Sequence, residues 1–316
     1  MRVGRIVVAE GVEVAFEDTL EESVSKSDAA RIPTLFFVYG LGCAISHWKH
    51  QMAFFSRPAA ASSDRVRMVW MDFRGHGASA QLAPEDRLRL ATLADDLAIV
   101  SSILQLPKAI FLGQSMGGTV ILELAARHPE CVGGLVLLGA PIGGPSAGFN
   151  FGPFAGVSRT GWKFLIRLGQ AWPRVVRDLH ARLVPQNDPV RRELLVLAVR
   201  EIVRAYGFNP RLARTSDIHT YVEELLAVSP NVFLDLAADL EAFRLEDLPE
   251  VPRDLPALII AGEQDKVVPM AQAEALHRWL AASELMVVPH GSHCPHFDDP
   301  GLVNSAISEF VLRLRR

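Results

Sequence analysis

Apolar residues along the chain fall into two textures. Continuous apolar runs, each bounded by glycine or polar residues, occur at 35–39, 66–73, 109–112 and 135–138, and again at 257–261 and 284–288. Unbroken rather than alternating runs predict strands buried on both faces, as in a parallel sheet. Between them, apolar positions recur at helical spacing: 88–104, closed by Leu106-Pro107; 116–128, stopped by Pro129; and 271–281, after Pro269. Residues 5–19 read as a hairpin turning at Glu10-Gly11. Strand–helix alternation of this kind predicts an α/β fold with a mostly parallel central sheet flanked by helices.

The alternation breaks over residues 141–248. Helical patterns follow one another there without strands, at 162–168, 175–183, 190–206, 221–228 and 232–243. Glycine- and proline-rich chain precedes the block, and Leu248-Pro249-Glu250-Val251-Pro252 closes it. This predicts a core of residues 1–140 and 249–316, interrupted by a helical insertion, 141–248. Residues 132–158 carry no charge and are long enough to suggest a membrane span. Gly133, Gly134, Pro141, Gly143, Gly144, Pro145 and Pro153 break that stretch too often for a transmembrane helix.

Composition narrows the function classes. With 49% hydrophobic and 22% charged residues, the 316-residue chain can bury a sizeable core. A formal net charge of -4 leaves no basic footprint, so nucleic acid is not an expected partner. Arg313, Arg315 and Arg316 read as a solvated helix end. The three cysteines, Cys43, Cys131 and Cys294, are odd in number and widely spaced, which fits a reduced protein better than a disulfide framework. The N-terminus lacks the pattern of a signal peptide, and cytoplasm is the expected compartment.

The sharpest chemical signal is Gly113-Gln114-Ser115-Met116-Gly117, after one predicted strand and opening a predicted helix. A tight strand-to-helix turn exposes such a serine, and its glycines let neighbouring elements approach closely. A serine needs a base, and the base an orienting acid. Asp265, in Ala261-Gly262-Glu263-Gln264-Asp265, follows one later strand, with Glu263 its nearest competitor. His293, in Pro289-His290-Gly291-Ser292-His293, follows the last. Parallel strands send these loops off the same sheet edge as Ser115, where the side chains can converge. His290, His293 and His296 raise a metal site, but no carboxylate or cysteine set at a known ligand spacing joins them, so none is expected. His290 and His296 read as packing or supporting residues. The turn Gly40-Leu41-Gly42 ends the first core strand, and the backbone N–H groups of Leu41 and Met116 form the natural oxyanion pair.

On these residues the chain resembles the α/β-hydrolase superfamily, and its cap-bearing members in particular. The carriers are Gly40-Leu41-Gly42, Asp72-Phe73-Arg74-Gly75-His76-Gly77-Ala78-Ser79, the Gly113–Gly117 elbow, Gly262-Glu263-Gln264-Asp265 and Gly291-Ser292-His293. The resemblance spans residue 5 to the C-terminus and is weakest over the insertion. It implies that Ser115 attacks a carbonyl, His293 shuttles the proton, and Asp265 holds the imidazole, with an acyl-enzyme and no cofactor. It also implies that the Asp72–Ser79 loop is structural, which leaves Arg74 and His76 outside the catalytic set. Family members that use aspartate as nucleophile, the epoxide hydrolases and haloalkane dehalogenases, are excluded by Ser115. One departure is Tyr39, where members usually carry histidine; the donor at Leu41 is backbone, so the change falls on the loop's supporting hydrogen bonds.

Specificity is expected to lie in the insertion acting as a lid. Phe149, Phe151, Phe154, Trp162 and Trp172 suggest either an apolar pocket wall or packing between insertion and core. Arg159, Lys163, Arg167, Arg174, Arg177 and Arg182 are spaced as a solvated helix face. The expected substrate is a small, mostly apolar carboxylic ester or related acyl compound. Hydrolysis of a C–C bond or a lactone runs on the same residues, and a weakly catalytic ligand-sensing protein on this fold is the alternative of another class.

Overall fold

The structure, a computed structural model, describes residues 1–21, 24–29, 31–57, 65–79, 82, 87–144, 155–184 and 188–315. A hairpin comes first, β1 (Arg2–Ala9) and β2 (Val12–Asp18), with Gly11 at φ 69° in its turn. A four-residue helix α1 (Lys26–Ala29) leads to β3 (Thr34–Val38), α2 (Lys49–Phe55) and β4 (Arg67–Met71). Then α3 (Leu90–Ile103), β5 (Ala109–Gln114), α4 (Met116–Arg127) and β6 (Val132–Leu138) alternate. Five helices follow without a strand: α5 (Ala155–Ala171), α6 (Pro173–Leu183), α7 (Pro189–Gly207), α8 (Thr215–Ala227) and α9 (Pro230–Ala242). The chain returns through β7 (Ala257–Gly262), α10 (Met270–Trp279), β8 (Ser283–Val288), α11 (Pro295–Asp298) and α12 (Pro300–Arg313).

The eight strands form one sheet in the order β1-β2-β4-β3-β5-β6-β7-β8, antiparallel only at β1–β2 and β2–β4. Every residue of β3, β4, β5 and β7 is buried, as unbroken apolar runs require of central strands covered on both faces. The expected mostly parallel sheet flanked by helices is therefore the architecture observed. The strand-poor block lies between β6 and β7, which are neighbours in the sheet, so the chain leaves after one strand and returns at the adjacent one.

Register does the positioning. Val38 pairs with Gly113, Gln114 with Leu138, Leu138 with Ile260, and Gly262 with Val288. The carboxyl ends of β3, β5, β6, β7 and β8 are therefore level, and their exit loops meet along one edge. A ligand site at that edge is the general outcome of open parallel sheets.

Candidate active site

Ser115 caps α4 with φ 51° and ψ -122°, in the left-handed region that non-glycine residues avoid. Such a conformation costs on the order of 1–3 kcal/mol and persists only where its surroundings enforce it. The enforcement here is close packing. A Cβ on Gly113 would lie 2.5 Å from the Gly117 carbonyl oxygen, and one on Gly117 would strike the carbonyls of Val38 and Tyr39. The Ser115 N–H donates to Leu138 O at 2.8 Å, tying the elbow to β6. Among the described residues the Ser115 hydroxyl bonds to no side chain. Catalytic hydrogen bonds are commonly loose before substrate binds.

His293 and Asp265 meet. His293 Nδ1 lies 2.9 Å from Asp265 Oδ2, with the two side chains 10% and 1% exposed. The other carboxylate oxygen, Oδ1, accepts from the backbone N–H of Val267 at 2.7 Å and of Val268 at 2.8 Å. Since a carboxylate only accepts, Nδ1 carries the proton and Nε2 presents its lone pair. Glu263, the competing acid, instead accepts from the backbone N–H of His290 at 2.8 Å.

Two residues given no role in the sequence reading lie against this pair or hold its loop. Gly139, at φ 53° on the exit of β6, lies against the pair: a Cβ would sit a tight 3.2 Å from His293 Nδ1 and 3.3 Å from Asp265 Oδ2. Gln114, buried beside Ser115, donates from Nε2 to the His293 carbonyl at 3.3 Å. Asp298 braces the histidine loop from the far side, accepting at Oδ2 from the N–H of Ser292 at 2.5 Å and its hydroxyl at 2.6 Å, and at Oδ1 from Asn209 N–H at 3.1 Å. Burial raises the Asp298 carboxyl, with the bonds from Ser292 and Asn209 pulling the other way.

On the opposite side, the turn after β3 touches the elbow; a Cβ on Gly40 would sit 3.3 Å from Ser115 Cβ. Gly42 has φ 71°. The Leu41 and Met116 N–H groups donate to no backbone carbonyl among the described residues. Tyr39 supports this turn where the family's histidine was expected. It is buried, its hydroxyl accepts from Phe73 N–H at 2.8 Å, and its ring packs edge-on to Phe73 with centroids 4.9 Å apart. Burial raises the Asp72 carboxyl, while hydrogen bonds from Ala78 N–H and the Tyr39 hydroxyl oppose this. Tyrosine therefore joins the turn to the Asp72–Ser79 loop. In that loop Ser79 Oγ donates to Asp72 O at 2.6 Å, and Arg74 grips Asp96 with two 2.6 Å bonds, which is a structural use of both residues.

Helices α8 and α9 cover the turn. Glu224 accepts from Ala44 N–H at 3.2 Å and from the Ser46 hydroxyl, while Asp217 pairs with Lys49 at 2.6 Å and His50 at 2.7 Å. Burial raises the Glu224 carboxyl, with the bonds from Ser46 and Ala44 opposing it. Leu225 Cδ1 would lie 2.5 Å and Phe233 Cδ2 3.6 Å from a Cβ on Gly42, so the surface above the turn is apolar. Of the aromatic residues singled out in the sequence, only Trp172 has a described side chain, and it faces solvent, 60% exposed. Phe149, Phe151 and Phe154 lie outside the described residues, and so does the side chain of Trp162. Helical periodicity could not have separated Leu225 and Phe233 from ordinary core positions.

The three histidines end in three environments. His290 is exposed beside Glu263 and Gln264, whereas His296 is fully buried against His47 and Trp48. Among the described residues no group of three or more His, Cys, Asp or Glu is arranged to hold a metal ion. Burial pushes the His47 imidazole down to about 3, with His293 and Lys49 adding repulsion. His296 is driven well down by burial and then by His47, His293 and His50. Both rings are neutral when folded, whereas an unfolded chain protonates them near their ordinary value of about 6.5. The unfolded state thus binds more protons, and stability falls as pH drops below about 6.5. Urea melts from pH 7 to about 5 are expected to lose on the order of 1 kcal/mol per pH unit for each buried ring, with a shallower slope in His47→Phe. A flat profile over that range would contradict two neutral buried imidazoles.

A family model described as alpha/beta hydrolase fold matches residues 33–300. The chain belongs to this family. Within the α/β hydrolases it is 27% identical over 295 residues to 3-oxoadipate enol-lactonase 2 of Acinetobacter baylyi, covering 89% of each chain. It is 25% identical over 309 residues to the 2-hydroxymuconate semialdehyde hydrolase of a Pseudomonas species, covering 98% of this chain and 94% of the relative. Among solved structures, a thermophilic esterase from Thermogutta terrifontis superposes with a TM-score of 0.66 at 20% identity, each chain covered completely. That last likeness concerns the fold. Chain and relatives together make this protein an α/β-fold hydrolase.

Proposed function

We propose that the protein is a serine hydrolase in which Ser115 is the nucleophile, His293 the general base and acid, and Asp265 the group that orients the imidazole. The observation that carries this reading is the His293–Asp265 hydrogen bond at the sheet edge where Ser115 occupies its strained elbow. In this reading His293 Nε2 takes the Ser115 proton as the hydroxyl attacks an acyl carbon. The backbone N–H groups of Leu41 and Met116 stabilise the oxyanion, and the protonated imidazole then gives its proton to the leaving group. Water, activated by the same imidazole, cleaves the acyl-enzyme. The chemistry requires no cofactor.

The favoured substrate is a small, mostly apolar carboxylic ester or related acyl compound. Leu225 and Phe233 above the oxyanion turn support that choice, since apolar walls orient uncharged acyl groups. We assign residues 141–248 the role of a cap, held to the core through Glu224 and Asp217. The names of two relatives, an enol-lactonase and a semialdehyde hydrolase, favour a lactone or a C–C bond beside a carbonyl as the second reading. The cytoplasm remains our assigned compartment, on the widely spaced free cysteines.

A fluorophosphonate probe separates hydrolase from ligand sensor. Labelling is expected to be stoichiometric, confined to Ser115 by peptide mapping, and absent after His293→Ala. A folded wild-type protein that takes up no probe would sink the nucleophile assignment.

A further inference from the structure

The helices between β6 and β7 expose more apolar surface than their packing uses. Along α5 and its exit, Phe164, Leu168 and Trp172 recur at i, i+4 spacing and all face solvent, and Leu179 and Leu183 continue the pattern on α6. The same helices already bury other positions: Ile166 on α5 is inside, and Gly169 abuts Leu234 of α9. The outer apolar positions are therefore surplus to folding. An apolar surface of this extent marks a binding face.

Charge decides what binds there. Residues 160–183 hold five Lys and Arg against one Asp, in a chain whose formal net charge is -4. Lys163, Arg167, Arg177 and Arg182 are exposed on the same helices as the apolar positions. Two copies meeting through this face would bring like positive charge together. A layer of anionic amphiphiles complements both properties, with apolar side chains reaching the acyl boundary and arginines the headgroups.

We infer that α5 and α6 form a peripheral docking surface for anionic lipid. The chain lies on that layer rather than crossing it, since no helix among the described residues is long and apolar enough to span a membrane. The inference is independent of the catalytic assignment, because its readout is binding.

The test is co-sedimentation of the full chain with phosphatidylcholine vesicles, with and without about one-third phosphatidylglycerol, beside analytical ultracentrifugation of the free protein. Binding is expected only with the anionic lipid, and to weaken in about 0.5 M salt. A Leu168→Ser/Leu179→Ser/Leu183→Ser variant alters exposed positions and should melt as the parent does while partitioning at least about tenfold less. Arg167→Gln/Arg177→Gln/Arg182→Gln should lose about tenfold or more on anionic vesicles alone. No pelleting, equal pelleting with neutral vesicles, or a dimer that the triple leucine variant dissociates would each overturn the inference. The last outcome would assign the face to a second copy.

Discussion

Ser115→Ala is expected to lower kcat on nitrophenyl esters by about four to six orders of magnitude while leaving the melting temperature within a few degrees of wild type. The size follows from what remains. Without the hydroxyl, catalysis falls back on the oxyanion donors and substrate positioning, which alone retain a modest advantage over water. The fold should survive because the serine hydroxyl bonds to no side chain among the described residues, so its removal strands no partner. Alanine carries the same Cβ as serine and bears the same strain at φ 51°, held by the same neighbours. The measurement is kcat across esters of increasing acyl length, with a melt on each preparation. Activity near wild type in a folded variant would remove Ser115 from the mechanism.

The second large effect is expected at Asp265. Asp265→Asn should cost about four orders of magnitude in kcat with little change in KM, and the reason is tautomeric. The Val267 and Val268 N–H groups both donate to Oδ1, so an asparagine would turn its amide oxygen there to satisfy them. Its NH2 would then face His293 Nδ1, which could only accept, and the imidazole proton would move to Nε2. That nitrogen could no longer take a proton from Ser115. Glu263→Gln, which bears only on the exposed His290 loop, is the matched control and should change kcat by less than about threefold, as surface substitutions do. Equal losses in the two variants would mean that the orienting acid has been misassigned.

Much of the architecture was legible because its signals are local. Unbroken apolar runs coincide with β3 to β8 to within three residues, since a strand covered on both faces has no polar side to show; β8, at the sheet edge, departs from the expected two-sided burial and leaves part of its surface exposed. The block between β6 and β7 was visible as a change of period. Helix α2 was passed over and α12 was read only at its basic end, although it begins with a readable start signal: Asp299 accepts from Leu302 N–H at 2.9 Å, and Pro300 follows it. Periodicity alone misses such a helix; its cap announces it. One residue inferred for the wall of the site, Trp172, fell elsewhere, because which face of a helix meets the core is decided by its neighbours. Trp172 turned outward, while Leu225 and Phe233 turned over Gly42.

Taken alone, the sequence determined that Ser115 ends a buried strand at a glycine-flanked turn, and that Asp265 and His293 follow later strands of the same sheet. Those are statements about short stretches, governed by backbone sterics and burial within a few residues. Only the tertiary structure decided that Asp265 rather than Glu263 meets His293, since both acids leave the same strand and their difference is one of direction. It likewise decided that Gln114 holds a carbonyl 179 positions away, that Glu224 holds a turn 180 positions away, and that Tyr39 anchors its turn through Phe73. Contacts over such separations exist because strand register brings the loop ends level, and register is a property of the assembled sheet.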